Sequence, residues 1–296
     1  MKNLTLLVIT IFFIISCDRK ANSKDQETII KGKVSILVDE TLLPIIESQV
    51  EVFQSQYNAT ITLVPKSETE IALLLSEDKN RLAIMSRELT TSEAAIFTNL
   101  KIKPKITTFG TDAIAFISSK KNTDSIINLE KFISFIQGKN QESFSEFVFD
   151  NANSSTVRYI KNLAKVNQLP KEKIYSLNTN IEVIEYVSKN PNSIGIVGVN
   201  WLSDPMQENI NMVNEVRVLT VQSKDNSLSK PSQDNIASGS YPLTREIKML
   251  NYQGSSGLGM GFASFVGGDI GQRIILKSGL VPIRIPGRNI KIRSKI

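Results

Sequence analysis

"KVSILVDETLLPIIESQVEVFQSQYNATITLVPKSETEIALLLSEDKNRLAIMS", residues 33–86, switches repeatedly between two hydrophobic periods. Short apolar runs at 33–40, 59–66 and 81–86 read as strands. Between them, residues 42–57 and 67–80 space their apolar side chains as helices do. The second of these helices opens with Ser67 and has Glu70 three residues later, the spacing of a capping box. Strands alternating with helices over such distances predict βαβ units on a parallel sheet, and so an α/β fold.

Outward from this stretch the alternation continues. Helical spacing is expected at 87–100, 128–138, 154–169 and 180–191, with strands at 146–150, 193–202 and 216–222. A long extended run at 105–120 is interrupted by Gly110 and carries Asp112 near its middle. After loop signals, 230–252 ends in a second long extended run, and 261–279 closes with a helix stopped at Gly279. No repeat of solenoid period is present. The two long runs, near 106–118 and 241–252, bracket the middle of the chain. The expected architecture is therefore two lobes joined by two hinge crossings: residues 31–110 with 242–296 as one lobe, and 111–241 as the other. Each lobe is a mixed, mostly parallel sheet flanked by helices, and such a molecule closes on a ligand.

The N-terminus has a different character. Lys2 precedes an unbroken apolar run from Leu4 to Ile15, too short for a comfortable membrane span and laid out as a secretory signal. Its ending, Ile14-Ile15-Ser16-Cys17, resembles the lipobox of bacterial lipoproteins. Residues 1–16 are thus expected to be a signal peptide, with Cys17 lipidated and 17–30 a polar tether. Cys17 is the only cysteine, which excludes an internal disulfide. The mature chain is expected to be exported and held at the cell envelope, on the periplasmic face or the outer membrane.

Composition narrows the chemistry. The chain has no histidine, so Ser-His-Asp and Cys-His catalysis, histidine metal sites and the usual neutral-pH proton shuttle are excluded. No cofactor or metal is expected. The formal net charge is +6, with bases scattered except for the group at the C-terminus, "RIPGRNIKIRSKI". No basic stripe with interleaved aromatics marks a nucleic-acid surface, while a mild positive field steers small anions.

A ligand class follows from where hydroxyls stand. In "VFDNANSSTVRYI", residues 148–160, a strand ends at Asp150 and a helix begins around Ser154, Ser155 and Thr156. The first turn of a helix presents unpartnered amide hydrogens, and its dipole favours negative charge. Hydroxyls beside those amides suit a small tetrahedral oxyanion. Thr41 and Ser67 occupy the same strand-to-helix position in the first half, and ligands of open α/β sheets bind outside the strand carboxyl ends. Taken singly, each of these hydroxyls also reads as a helix cap.

In order along the chain, "DETLLPIIESQVEVF", "IMSRELTTSE", "TDAIAFI", "FDNANSSTVR", "NPNSIGIVGVNWL", "GSYPLTREI" and "GQRIILKSGLVPI" resemble the phosphate-binding lipoproteins of bacterial ABC phosphate importers, in the class of two-lobed periplasmic binding proteins. The resemblance implies that inorganic phosphate is held by Thr41, Ser67, Ser154, Ser155 and Thr156 together with one Arg and one Asp. It also implies a monomer whose partners are an importer's permease and ATPase, and a membrane reached through the N-terminal lipid. Ser155 stands where the family has glycine. Arg87 and Asp150 stand where better-known members place the Asp and the Arg, so the two charges are expected to have exchanged lobes while facing one ligand. Ser86, Arg158 and Asp112 are weaker candidates, Arg158 on an outer helix face and Asp112 at the hinge. The rival readings are the same fold binding another oxyanion or an organic phosphate, an exported serine hydrolase, and a surface or adhesion protein that has lost its ligand.

Overall fold

The alternation read from residues 33–86 is realised as parallel pairing. In the computed structural model, which describes residues 27–139 and 146–287, strand β1 (Lys31–Asp39) lies between β2 (Asn58–Lys66) and β3 (Leu82–Met85), parallel to both. Helices α1 (Leu43–Gln56) and α2 (Glu68–Ser76) make the crossovers. The expected signal peptide, Cys17 and the tether as far as residue 26 lie outside the described residues.

Two strands carry the sheet from one lobe to the other. β4 (Lys105–Ser119) pairs antiparallel along its first half with β12 (Thr244–Asn251), which continues onto β3. Beyond Ala113 its partner becomes β8 (Ser193–Gly198), followed outward by β6 (Glu146–Phe149) and β7 (Ile174–Ser176). The strand order is β2-β1-β3-β12-β4-β8-β6-β7. Register between β4 and β12 slips between Ile247 and Lys248, a bulge in the shared strands.

The faces of this sheet are covered as the helical periodicity requires. Helix α1 buries Ile45, Ile46, Val50 and Phe53, and the Phe53 ring packs edge-on against Phe262 and Phe265. Each such large side chain, wholly removed from water, contributes about 2–3 kcal/mol. In the other lobe Phe116, Phe132 and Phe147 form a comparable edge-to-face chain.

Four stretches depart from the sequence expectation. Residues 87–94 are loop, because the Glu93 carboxylate accepts from the Thr90 amide and the Arg87 guanidinium; the helix is only α3 (Ala95–Asn99). The strand expected at 193–202 ends at Gly198, and the chain turns into a one-turn helix, Asn200–Ser203. The strand expected at 216–222 divides around buried Leu219. Val216–Val218 pairs with β4, and Thr220–Gln222 joins a separate three-stranded sheet with Ile126–Asn128 and Leu228–Ser229. Gly267 and Gly268 divide the last helical stretch into α10 (Leu258–Val266) and α11 (Asp269–Lys277). The intervening elements are β5 (Ile126–Asn128), α4 (Leu129–Ile136), α5 (Ser155–Ala164), α6 (Asn180–Lys189), α7 (Asn200–Ser203), α8 (Ile210–Asn214), β9 (Val216–Val218), β10 (Thr220–Gln222), β11 (Leu228–Ser229), α9 (Gln233–Ala237) and the short β13 (Val281–Pro282).

Candidate functional site

The carboxyl ends of β1 and β6 face each other across the junction of the lobes. At the first, Asp39 accepts from the Thr41 amide (3.1 Å) and caps a 3-10 turn, Glu40–Leu42. That turn delivers the Thr41 hydroxyl to within 3.0 Å of the Ser155 hydroxyl, which opens α5 from the other lobe. At the second, Ser154 is the N-cap of α5. It accepts from the Val157 amide and donates to Asp150 at 2.6 Å. Thr41, Asp150, Ser154, Ser155 and Thr156 are all buried.

A guanidinium from the hinge completes this group. Arg245, on β12, sits directly opposite Asp112 in the β4 ladder and donates to it through Nε (3.0 Å) and Nη2 (2.7 Å). Its remaining nitrogen, Nη1, points at the Ser155 hydroxyl (2.9 Å) and the Thr156 hydroxyl (3.5 Å). Burial acts to lower the pKa of Arg245, yet Asp112 and Asp39 hold it above its ordinary value. This is a fixed charge aimed at two hydroxyls.

Gly198 makes room for it. A Cβ there would stand 2.8 Å from Asn200 Nδ2, 2.9 Å from Arg245 Nη2 and 3.1 Å from the Thr41 carbonyl oxygen. Asn200 and Trp201, placed by the turn after β8, both donate to that carbonyl (2.8 and 3.1 Å) and so tie the Thr41 turn to the second lobe.

Carboxylates outnumber cations at the centre. Asp39, Asp112 and Asp150 are wholly buried, and burial raises the pKa of each, Asp150 up to about 8. Glu40 reaches across to the start of α6, where it accepts from the Asn180 amide (3.2 Å) and side chain (2.8 Å); burial pushes it up to about 7. Asn180 also donates to Asp150 (3.1 Å), so both oxygens of Asp150 have partners. One oxygen of Asp39 and one of Asp112 are buried without a hydrogen-bond partner.

Beside this core lies a crevice of about 230 Å³ lined by Asp39, Glu40, Ser67, Ser154 and Thr179, among others. Ser67, Ser154 and Thr179 are the N-caps of α2, α5 and α6, so three helix starts border one space. The Ser67 hydroxyl is engaged in its capping box, donating to Glu70 at 2.7 Å.

The structure thus gathers Thr41, Asp150, Ser154, Ser155 and Thr156 at one point and puts Ser67 on the adjoining crevice. Arg87 is turned elsewhere. Its nitrogens donate to Glu68, to Glu93 and to the Glu88 carbonyl. Ser86 and Arg158 join the same network, since Arg158 bonds Glu68 from across the lobes and also donates to Ser86. Asp112 lies at the hinge, as Arg245's partner.

Arg245 was legible in principle. In "LTREIKM", residues 243–249, Leu243, Arg245, Ile247 and Met249 share one strand face, so an arginine occupies an apolar register position. Glu40, Asn180 and Asn200 gave no local signal, because each draws its role from a partner far away in sequence, and the local cap that Asp39 places on the Thr41 amide does not reveal its second, unpartnered oxygen.

In this arrangement polar groups of both lobes meet at strand ends and helix starts, where open α/β sheets place their ligands. Residues 23–269 match the model of the PBP superfamily domain, and the chain belongs to that superfamily. The chain is 24% identical to the phosphate-binding protein PstS of Borreliella burgdorferi over 94% of its own length and 99% of the relative's. Among solved structures it resembles a Clostridium perfringens protein assigned as a phosphate ABC transporter substrate-binding protein and solved with bound phosphate. That likeness has a TM-score of 0.70 at 18% identity, over 86% of this chain and 100% of the other. An ABC-type phosphate transport receptor from Vibrio cholerae gives a TM-score of 0.62 at 18% identity, over 85% and 100%.

Proposed function

We propose that the chain is an exported, lipid-anchored solute-binding protein that captures inorganic phosphate between its lobes and hands it to the permease of an ABC importer. The observation that carries this reading is the meeting of Thr41, Ser155, Thr156 and the Arg245 guanidinium at one buried point between the lobes. The names of the relatives support phosphate as the ligand. Anchoring through Cys17 and delivery to a permease extend the reading from the sequence and from the relatives' transporter context.

In this reading the lobes open, phosphate enters, and its oxygens take the places that Ser155 and Thr41 now hold for each other. Arg245 Nη1 supplies the charge-assisted bond, and the hydroxyls and first-turn amides of α5 supply the rest. Asp39 is the acceptor for the ligand's own hydrogen: one of its oxygens is buried without a partner, both oxygens of Asp150 are already engaged, and Asp112, which also has an unpartnered oxygen, is committed to the Arg245 guanidinium. Sulfate has no hydrogen to offer near neutral pH, and its oxygens would face that carboxylate at a penalty of about 1–3 kcal/mol or more. The charged ligand pair therefore becomes Arg245 and Asp39, in place of Arg87 and Asp150.

Calorimetric titration with phosphate, sulfate and molybdate tests the reading. Phosphate should bind at least about tenfold tighter than sulfate, and Asp39→Asn should erase most of that margin. No phosphate binding at millimolar concentration, or an unchanged margin in the variant, refutes it.

A further inference from the structure

The crevice of about 230 Å³ adjoins the binding point through Asp39 and Ser154 and has room for several water-sized groups. Three helix starts border it, yet each spends its cap on its own helix. Ser67 accepts from the Glu70 amide (3.4 Å), Ser154 from the Val157 amide (3.2 Å) and Thr179 from the Glu182 amide (3.3 Å). Each start also has an acid beside it. Glu70 accepts from the Ser67 amide (3.1 Å), Asp150 from the Ser154 hydroxyl (2.6 Å) and Glu182 from the Asn178 amide (2.9 Å). The helix dipoles are therefore answered from within the chain.

What faces the crevice beyond these caps is mainly acid. Asp39, Glu40 and Glu70 line it against one base, Lys66, which pairs with Glu70 at 3.7 Å. Asp39 is wholly buried; one of its oxygens accepts from the Thr41 amide, and the other has no partner. A buried carboxylate oxygen without a donor is costly, and a ligand that brings a donor relieves that cost. Among the described residues no three metal-ligating side chains are arranged to hold a metal ion. The chemistry that suits this wall is an organic cation with N–H donors. Inorganic phosphate seated on Thr41, Ser155, Thr156 and Arg245 does not need this space.

We infer that the crevice receives a short ammonium-bearing arm esterified to the phosphate, so that the ligands of this cleft include aminoalkyl phosphomonoesters. The phosphoryl group stays on Thr41, Ser155, Thr156 and Arg245, the arm passes Ser154, and the ammonium donates to Asp39 and Glu40. Asp39 accepts a ligand hydrogen in either case, from the anion itself in inorganic phosphate and from nitrogen in the ester. Glu40 bonds Asn180 of the other lobe (2.8 Å), so an ammonium held there joins recognition to closure. The inference rests on the phosphate seat of the proposed function and adds the other half of the ligand.

Calorimetric titration of the full chain with inorganic phosphate, O-phosphoethanolamine and propyl phosphate tests it. The two esters match in length and differ in the terminal ammonium, so O-phosphoethanolamine should bind at least about tenfold tighter than propyl phosphate. Glu40→Gln combined with Glu70→Gln should remove most of that margin, and Gln at position 70 can still close the capping box. Comparing the two esters within one variant cancels any change in the phosphoryl seat, and the wild-type comparison stands whether or not the variant folds. Equal affinity for the two esters, failure of both to bind where inorganic phosphate binds, or a margin untouched in the folded double variant overturns the inference and leaves the phosphate reading standing. Binding of O-phosphoethanolamine without binding of inorganic phosphate upholds the crevice and overturns inorganic phosphate as the ligand.

Discussion

Removing the hinge guanidinium is the most informative perturbation. Arg245→Gln deletes a buried positive charge that makes two bonds to Asp112 and directs a third at Ser155. If Nη1 provides one or two charge-assisted bonds to phosphate, each worth about 1.5–3 kcal/mol, the variant loses about 2–6 kcal/mol of binding. That corresponds to roughly 30-fold to more than 10⁴-fold weaker affinity. The same change strands Asp112, already wholly buried with one unpartnered oxygen, at a cost of about 3–5 kcal/mol in stability. At about 2–4 °C per kcal/mol for a chain of this size, Tm should fall by roughly 6–20 °C. Calorimetry measures the first effect and thermal unfolding without ligand the second. Adding Asp112→Asn separates them: the double variant should regain most of the lost stability and none of the lost affinity. Arg245→Gln that binds phosphate within about threefold of wild type, while folded, refutes the assignment of Arg245 to the ligand.

Gly198→Ala should lower phosphate affinity by about tenfold and destabilise the fold by about 1–3 kcal/mol in urea titrations, since the new methyl must displace Arg245, Asn200 or the Thr41 carbonyl. Arg158→Ala should leave Arg87 paired with Glu93 and free Glu68 from the second lobe. Small-angle scattering should then show a more open ligand-free molecule, and phosphate affinity should fall severalfold; an unchanged scattering profile counts against an interlobe latch. Stability should also respond to pH with a definite sign. Burial raises Glu40 to about 7 and Asp150 to about 8, so the folded chain holds protons that the unfolded chain has released. That contribution is fully present below the ordinary carboxylate range and is lost as pH rises through about 7 to 8. Tm without ligand should therefore decline from pH 5 to pH 8, and Glu40→Gln should flatten the decline; a Tm that rises across this window contradicts it.

The sequence by itself determined the α/β class. Period-two runs alternating with 3.6-residue spacing can bury their apolar faces only as strands covered by helices, and the structure pairs β1, β2 and β3 accordingly. It also marked the helix starts at Ser67 and Ser154, because a cap is a local bond between a side chain and amides two or three residues on. Charge pairing lay beyond local reading. Arg87 follows a strand end as a ligand arginine would, but Glu68 and Glu93, nineteen and six residues away, claim its nitrogens. Arg245 meets Asp112 across 133 residues and Thr41 meets Ser155 across 114. Which guanidinium faces the cleft, and which carboxylates are left with a free oxygen, was decided only when the hinge strands paired and the lobes met. The direction of a buried charge depends on neighbours supplied by the fold, whereas hydrophobic period and helix capping are properties of the adjacent chain.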